Sequence, residues 1–154
     1  MNEKVKKRAA DFLEGLKKRM AYSVSFELDE NNEDTSLVVQ ATGDDAEELL
    51  GKNPLIPEAL RNILWRVINK DCEEDEKIRV TIDNSEVRRK FLEKLAFEMR
   101  DKALEEDRTI ILRPLNSFER RIVHLVLSED SQVTTKSIGE GSYKKIVISP
   151  ISNS

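Results

Sequence analysis

Cysteine, histidine and aromatic residues are scarce in this chain of 154 residues. The single cysteine, Cys72, cannot form an internal disulfide, and one cysteine with one histidine, His124, cannot make a zinc site of the Cys/His kind. Aromatic residues make up 5% of the chain, too few for a broad surface of rings that stack on bases. We expect no metal and no cofactor, and the sequence assigns no role to Cys72.

Long apolar runs and catalytic motifs are also absent. No apolar run approaches the roughly 18 residues that a membrane span needs, and the charged start over residues 1–8 is not followed by the apolar stretch of a signal peptide. There is no glycine-rich phosphate loop, no Cys–His pair and no histidine spacing typical of a metal site. The sequence therefore predicts a cytoplasmic protein that does not insert into membranes, is not an enzyme and takes no small-molecule substrate.

Charged residues are abundant, at 36% of the chain, and their signs are unevenly distributed. Residues 1–85 hold 13 Lys and Arg against 19 Asp and Glu, whereas residues 86–154 hold 13 against 11. A surface that binds phosphates needs an excess of positive charge. We therefore expect any such surface in the C-terminal half, and we interpret the two acidic runs, 29–34 and 71–76, as solvated loops.

The spacing of apolar residues predicts the order α-β-β-α-α-β in the N-terminal half. The elements are a helix over residues 3–20, strands over 23–28 and 36–41, a short helix over 44–50 that ends at Gly51, a longer helix after Pro54, and a strand over 78–82. On the longer helix, Ile63 lies within the predicted buried stripe and Trp65 lies at its edge. Trp65 is therefore either a core residue or an interface residue.

The C-terminal half predicts a second α/β arrangement. A helix over 85–105 and a strand over 109–112 precede a helix that runs to Leu127, and two strands over 132–136 and 144–149 follow, joined by a turn at 139–141. Asn116 and Glu119 have the spacing of a capping box at the start of the shorter helix. The predicted fold class is α+β, and residues 151–154 form a tail.

The shorter helix carries the candidate binding residues. At 100° per residue, Phe118, Ile122, Leu125 and Val126 cluster on one side, so Arg120 and His124 should project together into solvent on the other. Arg121 flanks this pair, and Arg113 lies just before the cap. A guanidinium matches phosphate oxygens with a fork of donors, and an imidazole adds a donor or a flat face for a base. The spacing alone is more typical of a plain solvated face.

The residues around this helix resemble a known domain. The run from Pro114 to His124 fits the pattern Pro-x-Asn-x-x-Glu-Arg-Arg-x-x-His, and a Gly-Glu turn and a basic, aliphatic strand over 144–148 follow. This resembles the R-three-H domain, in the form found in the SpoIIIJ-associated protein (Jag) family. The resemblance implies that Arg120 and His124 contact single-stranded RNA or DNA, with support from three further cations, Arg121, Lys144 and Lys145.

The N-terminal half resembles a bacterial KH domain, in which a Gly-x-x-Gly loop between two helices lets RNA approach the backbone. Here the loop is Gly51-Lys52-Asn53-Pro54, so Pro54, which has no N–H, replaces the second glycine. Two interpretations stay open: Gly51, Lys52 and Asn53 grip RNA, or Gly51 simply ends a helix. The predicted domains are a KH-like domain over 1–84, an R-three-H domain over 85–150 and the tail over 151–154.

A protein-interaction module is the alternative to RNA binding. KH domains pair with other small KH proteins or with themselves, and the family resemblance also links the chain to control of cell elongation and shape in bacteria. An acidic KH-like half with an altered loop fits a fold that contacts a partner and binds little RNA. Exposure of Trp65 would favour this alternative.

Overall fold

The chain folds into two compact units, one ending at Arg88 and the other beginning at Arg89. The computed structural model describes residues 2–152, so the last two residues of the predicted tail lie outside the described part. Helices and two small sheets make up the two units. The predicted α+β class is confirmed.

The first unit contains a three-stranded sheet and two long helices. Its main elements are α1 (Glu3–Arg19), β1 (Ser25–Asn31), β2 (Ser36–Thr42), α2 (Leu55–Ile68) and β3 (Val80–Asp83), with one π-helical turn, Glu47–Gly51, before α2 and a short 3-10 turn, Glu74–Glu76, after it. The strands lie in the order β1-β2-β3, with β1 antiparallel and β3 parallel to β2. The predicted short helix is therefore a single π-helical turn, and it ends at Gly51 as the sequence predicts.

The core of the first unit lies between this sheet and its helices. Leu37 on β2, Leu50 in the π-helical turn, and Leu64 and Ile68 on α2 are all fully buried. Ile63, which the spacing places inward, is 51% exposed. The α2 helix buries a stripe that is narrower than the one predicted, because no described element of the first unit covers its other apolar side.

The turn after β2 depends on Gly43. Its φ is +115°, and a Cβ atom at this position would lie 2.6 Å from the carbonyl oxygen of Ser23. A residue with a side chain would be strained both by the backbone conformation and by this contact. The glycine thus permits the close approach of the two ends of the β1–β2 hairpin.

The second unit is a two-layer arrangement of helices on one face of a sheet. Its elements are α3 (Ser85–Glu105), which begins within the first unit, β4 (Ile110–Ile111), α4 (Ser117–Leu127), β5 (Val133–Ile138) and β6 (Lys145–Pro150). The strand order is β4-β6-β5, with both pairings antiparallel. The buried core joins α3, α4 and one face of the sheet through Leu92, Ala96, Val123, Leu127, Ile146 and Ile148.

The start of α4 is fixed by the predicted capping box. The side chain of Asn116 accepts a hydrogen bond from the backbone N–H of Glu119 at 2.9 Å, and the backbone N–H of Asn116 donates to the Glu119 carboxylate at 3.1 Å. These bonds satisfy backbone donors that the first helical turn otherwise leaves without partners. The capping prediction is confirmed.

Membrane-spanning helices and metal-binding clusters are both absent from the described residues. No helix within 2–152 is both long and apolar enough to cross a membrane. The same residues contain no cluster of three or more His, Cys, Asp or Glu side chains that would hold a metal ion.

Candidate nucleic-acid interface

The buried side of α4 differs from the one predicted. Phe118 and Leu125 are 63% and 62% exposed, whereas Val123 and Leu127 are buried against the sheet. The buried stripe is therefore rotated by about a quarter turn from the predicted one. An 11-residue helix with apolar residues at so many positions has two overlapping apolar stripes, and its spacing alone cannot choose between them.

This rotation changes the position of Arg120. Its side chain is half-buried, and its Nη1 atom donates to the carbonyl oxygens of Leu115 at 2.5 Å and Ser142 at 3.1 Å. The first carbonyl precedes α4, and the second lies in the turn between β5 and β6. The guanidinium therefore ties these two segments of the second unit together.

His124 is also turned toward the sheet. Its Nδ1 atom lies 2.7 Å from Thr135 Oγ1, and its Nε2 atom lies 2.9 Å from Ser137 Oγ. Partial burial, and then the positive charge of Arg120, lower the pKa of His124 from its ordinary value. The folded protein thus favours the neutral imidazole, with one ring nitrogen donating and the other accepting.

The prediction that Arg120 and His124 project together into solvent is wrong. Both side chains are half-buried and bonded to other parts of the second unit, because the rotation of α4 brings their side of the helix against β5 and the adjoining turn. Arg120 and His124 therefore hold other segments of the second unit in place, in addition to forming part of its surface.

The other predicted cations differ in their exposure and in their contacts. Arg113 and Arg121 are exposed, and neither forms an ion pair with a carboxylate in the described part of the chain. Lys144 is half-buried, and its backbone pairs with that of Leu115 next to Arg120. Lys145 precedes the fully buried Ile146, which faces the helices.

Because side chains alternate along a strand, Lys145 points away from the helices and lies on the opposite face of the sheet from His124. The expectation that Lys145 supports Arg120 and His124 at one site is wrong. Sequence spacing cannot show this, since the side of the sheet that the helices cover is decided by packing.

The loop candidates belong to the first unit and are engaged with their neighbours. The carbonyl oxygen of Gly51 accepts from Arg88 Nη1 at 2.7 Å, and Lys52 Nζ pairs with Glu48 at 3.2 Å. The side chain of Asn53 accepts from the backbone N–H of Leu55 at 3.0 Å, so it serves the start of α2. Lys52 and Asn53 are nevertheless exposed, and a role in RNA binding stays a prediction.

Sequence reasoning missed three residues of the site. Thr135 and Ser137 bond both nitrogens of His124, and Ser142 supplies a carbonyl to Arg120. One signal was available: hydroxyl side chains at 135 and 137 lie on one face of a strand, beside a buried valine at 133. That pattern marks a polar patch on the helix-facing side of the sheet.

Comparison with known proteins gives a consistent picture. Residues 90–150 match the R-three-H domain family. The chain is 31% identical over 148 residues to the RNA-binding protein KhpB of Clostridium symbiosum, covering 96% of this chain and 67% of that protein. It is 33% identical over 111 residues to the RNA-binding protein KhpB of Bacillus subtilis (strain 168), covering 70% of this chain and 53% of that protein.

A third relative is more distant. The RNA-binding protein KhpB of Lactiplantibacillus plantarum is 24% identical over 148 residues, which cover 96% of this chain and 45% of that protein. The chain thus spans between about half and two thirds of the length of the relatives that it matches.

Proposed function

Because this chain belongs to the family of the KhpB RNA-binding proteins and contains an R-three-H domain, we propose that it binds single-stranded RNA through its second unit. The observation that carries the proposal is the Arg-x-x-x-His pair of α4, because the neighbouring Arg113 and Arg121 are exposed and have no carboxylate partner within residues 2–152. Phosphates are the ligands that such unpaired guanidinium groups favour.

The exposed surface of α4 combines charge with an aromatic ring. Phe118, Arg121 and Leu125 lie three and four residues apart, so they share one face of the helix, and all three are exposed. We call this face the α4 surface. Arg121 is suited to a phosphate, and the ring of Phe118 is suited to an unstacked base. Arg113, just before the helix, extends the positive charge.

Arg120 and His124 lie on another side of α4 and affect binding through the segments that they hold in place. Arg120 holds the turn that carries Tyr143, which is 65% exposed, and Lys144. Fixing this turn lowers the entropy lost when RNA orders it. In this proposal both residues stay candidate RNA contacts, and their first effect is to set the position of the turn and of β5.

Salt dependence of RNA binding tests the proposal. A fluorescein-labelled single-stranded RNA is titrated with protein at two or more salt concentrations, and anisotropy gives Kd for the wild type and for Arg113→Ala, Arg121→Ala and Lys102→Ala. Each lost phosphate contact reduces the slope of log affinity against log salt by about 0.7. We expect this for both arginine variants.

Lys102 is the matched control because it is an exposed cation of the same unit, on α3, so its variant should bind like the wild type. Equal and weak binding by all four proteins would contradict the proposal. Tight binding that does not depend on salt would contradict it as well. Single-stranded DNA of the same sequence shows whether the 2′-hydroxyl matters.

For the first unit we propose a KH-like fold, with the domain limits at 84 and 150 that the sequence predicts. The order of its elements and the parallel pairing of β2 with β3 support this. A Lys52→Glu variant tests whether its loop contributes to RNA affinity. Unchanged affinity would assign Gly51, Lys52 and Asn53 to structure alone.

A protein partner for the first unit is the second candidate function, and two observations favour it. Trp65 is 38% exposed, and an apolar cavity of about 360 Å³ is lined by residues including Leu55 and Ile63, which are 67% and 51% exposed. A second copy or another KH protein would cover such a surface. Multi-angle light scattering of the wild type and of Ile63→Lys tests self-association.

Three further expectations stay predictions. They are a location in the cytoplasm, a link between RNA binding and control of cell shape, and the absence of enzymatic activity.

A further inference from the structure

The sheet of the second unit has one face that no element of that unit covers among the described residues. We call it the outer face, and its residues share an outward orientation on three adjacent strands: Ile111, Thr134, Lys136, Ile138, Lys145, Val147 and Ser149. The residues between them, such as Val133, Ile146 and Ile148, are buried in the core on the other side. Thr135 and Ser137 bond His124 on that other side, which fixes the outward direction of Lys136.

The outer face is positively charged and contains no acidic residue. Lys136 and Lys145 are exposed, and β4, β5 and β6 have no Asp or Glu along their whole length. Lys136 pairs with Val147, and Ile138 pairs with Lys145. The two lysines are therefore diagonal neighbours on adjacent strands, with Cα atoms about 7–8 Å apart. No ion pair within residues 2–152 neutralises either of them.

The uncharged residues of the outer face form a mixed apolar and hydroxyl surface. Ile111 is 56% exposed and Ile138 is 36% exposed, and Val147 lies between them on the central strand. Thr134 and Ser149 face each other in the register of β5 and β6. Hydroxyl groups bond phosphate oxygens and the 2′-hydroxyl, and aliphatic side chains pack on sugars and on the faces of bases.

We propose that the outer face is a second surface for single-stranded RNA, on the side of the sheet opposite to the α4 surface. The inference rests on the proposed function and adds a site to it. Charge complementarity selects the occupant, because a polyanion neutralises Lys136 and Lys145. A second copy of the same face would bring like charges together in the interface, which is unfavourable.

Two surfaces on opposite sides of one sheet predict how affinity depends on RNA length. A short strand occupies one surface, whereas a longer strand passes around the edge of the sheet and occupies both. The second contact then becomes intramolecular, and the affinity of the long strand exceeds that of the short one by more than the number of added phosphates explains. The outer-face lysines should contribute mainly to this gain.

The test compares the double variant Lys136→Glu/Lys145→Glu with the control double variant Lys70→Glu/Lys102→Glu. All four lysines are exposed and the change in net charge is the same, but the control lysines lie near the ends of helices, outside the outer face. Affinities for a short and a long oligouridine are measured by anisotropy. Circular dichroism checks that both variants fold.

For the outer-face variant we expect at least a tenfold loss of affinity for the long strand. The control variant should lose less than about threefold, as long-range charge effects are largely screened at physiological salt. Photo-crosslinking of 4-thiouridine RNA to the wild type, followed by mass spectrometry, should label outer-face residues of β5 and β6 as well as residues of α4.

The outcomes separate the two proposals. If the wild type binds no single-stranded RNA, the proposed function and the second surface are both overturned. If Arg121→Ala weakens binding while the outer-face variant matches its control, the second surface is overturned and the proposed function stands. Crosslinks confined to α4, the loop before it and the β5–β6 turn would also overturn the second surface.

Discussion

Replacing Arg120 should destabilise the second unit, whereas replacing the adjacent Arg121 should not. In Arg120→Ala the hydrogen bonds from Nη1 to the carbonyls of Leu115 and Ser142 are both lost. A hydrogen bond to a charged group contributes about 1.5–3 kcal/mol to stability. Their loss is partly compensated, because the Leu115 carbonyl keeps its bond from the backbone N–H of Lys144 and Ser142 is exposed to water.

The net effect should therefore be close to that of one such bond, about 2 kcal/mol. For a unit of this size, that loss lowers the melting temperature by about 10 °C. Arg121 is exposed and has no ion pair in the described chain, so Arg121→Ala should change stability by no more than about 0.5 kcal/mol.

The assay must report on the second unit. The single tryptophan, Trp65, lies in α2 of the first unit, so its fluorescence follows the wrong part of the chain. Hydrogen exchange of the amides of α4 and β5 in urea follows the second unit directly, and far-ultraviolet circular dichroism adds the unfolding of the whole chain. The Trp65 signal then serves as an internal control that should not change.

The two variants should differ in the opposite way in the salt dependence of RNA binding. Arg121→Ala should reduce the salt dependence of RNA binding, whereas Arg120→Ala should weaken binding mainly by loosening the turn that carries Tyr143 and Lys144. A result in which Arg120→Ala is as stable as the wild type would refute the structural role of the guanidinium. Arg120→Lys, which keeps the charge but not the planar fork, should recover only part of the stability.

Three further predictions concern local features of both units. The pKa of His124 is lowered from its ordinary value of 6.5 by burial and by Arg120, so the neutral imidazole contributes stability above pH 6.5 and this contribution is lost as the pH falls through the lowered pKa. The wild type should therefore lose more stability upon acidification than His124→Gln does. Parallel profiles of stability against pH for the two proteins would contradict this. Asn116→Ala removes the cap of α4 and should lower the free energy of urea unfolding by about 1 kcal/mol, whereas Ser117→Ala should lower it much less. Equal effects of the two substitutions would show that the cap is unimportant. Gly43→Ala should destabilise the first unit by about 2–3 kcal/mol, because φ is positive at this position and the added Cβ would contact the Ser23 carbonyl. Urea unfolding followed by Trp65 fluorescence measures this loss. Gly141→Ala, in the other unit, should leave the Trp65 unfolding curve unchanged.

The local features of the chain were predictable because they depend on neighbouring residues. The helices, the strands and the capping box at Asn116 follow from apolar spacing and from side chains three residues apart, and the structure has them near the predicted limits. The main local error is the short helix before Gly51, which is a π-helical turn. Hydrogen-bond spacing within a single turn leaves no signal in apolar periodicity.

The sequence predicted where four of the candidate residues lie along the chain, but not the geometry around them. Arg120, Arg121 and His124 lie on α4, and Arg113 lies just before its cap, as the sequence predicts, since the order along the chain fixes these positions. Apart from the carbonyl of Leu115, the partners of Arg120 and His124 come from β5 and from the β5–β6 turn, 11–22 residues away in sequence. No local pattern predicts bonds over such separations.

The amino-acid sequence by itself determined which residues form helices and strands, and which side chains alternate along β5 and β6, because backbone geometry repeats these relations within a few residues. Only the tertiary structure decided which stripe of α4 is buried, and hence that Arg120 and His124 turn toward the sheet while Phe118 and Leu125 face solvent. It also decided that Lys145 and His124 lie on opposite faces of one sheet. The physical reason is that the buried side of an element is chosen by the contacts that remove the most apolar surface from water, and those contacts are made by residues far apart in the chain.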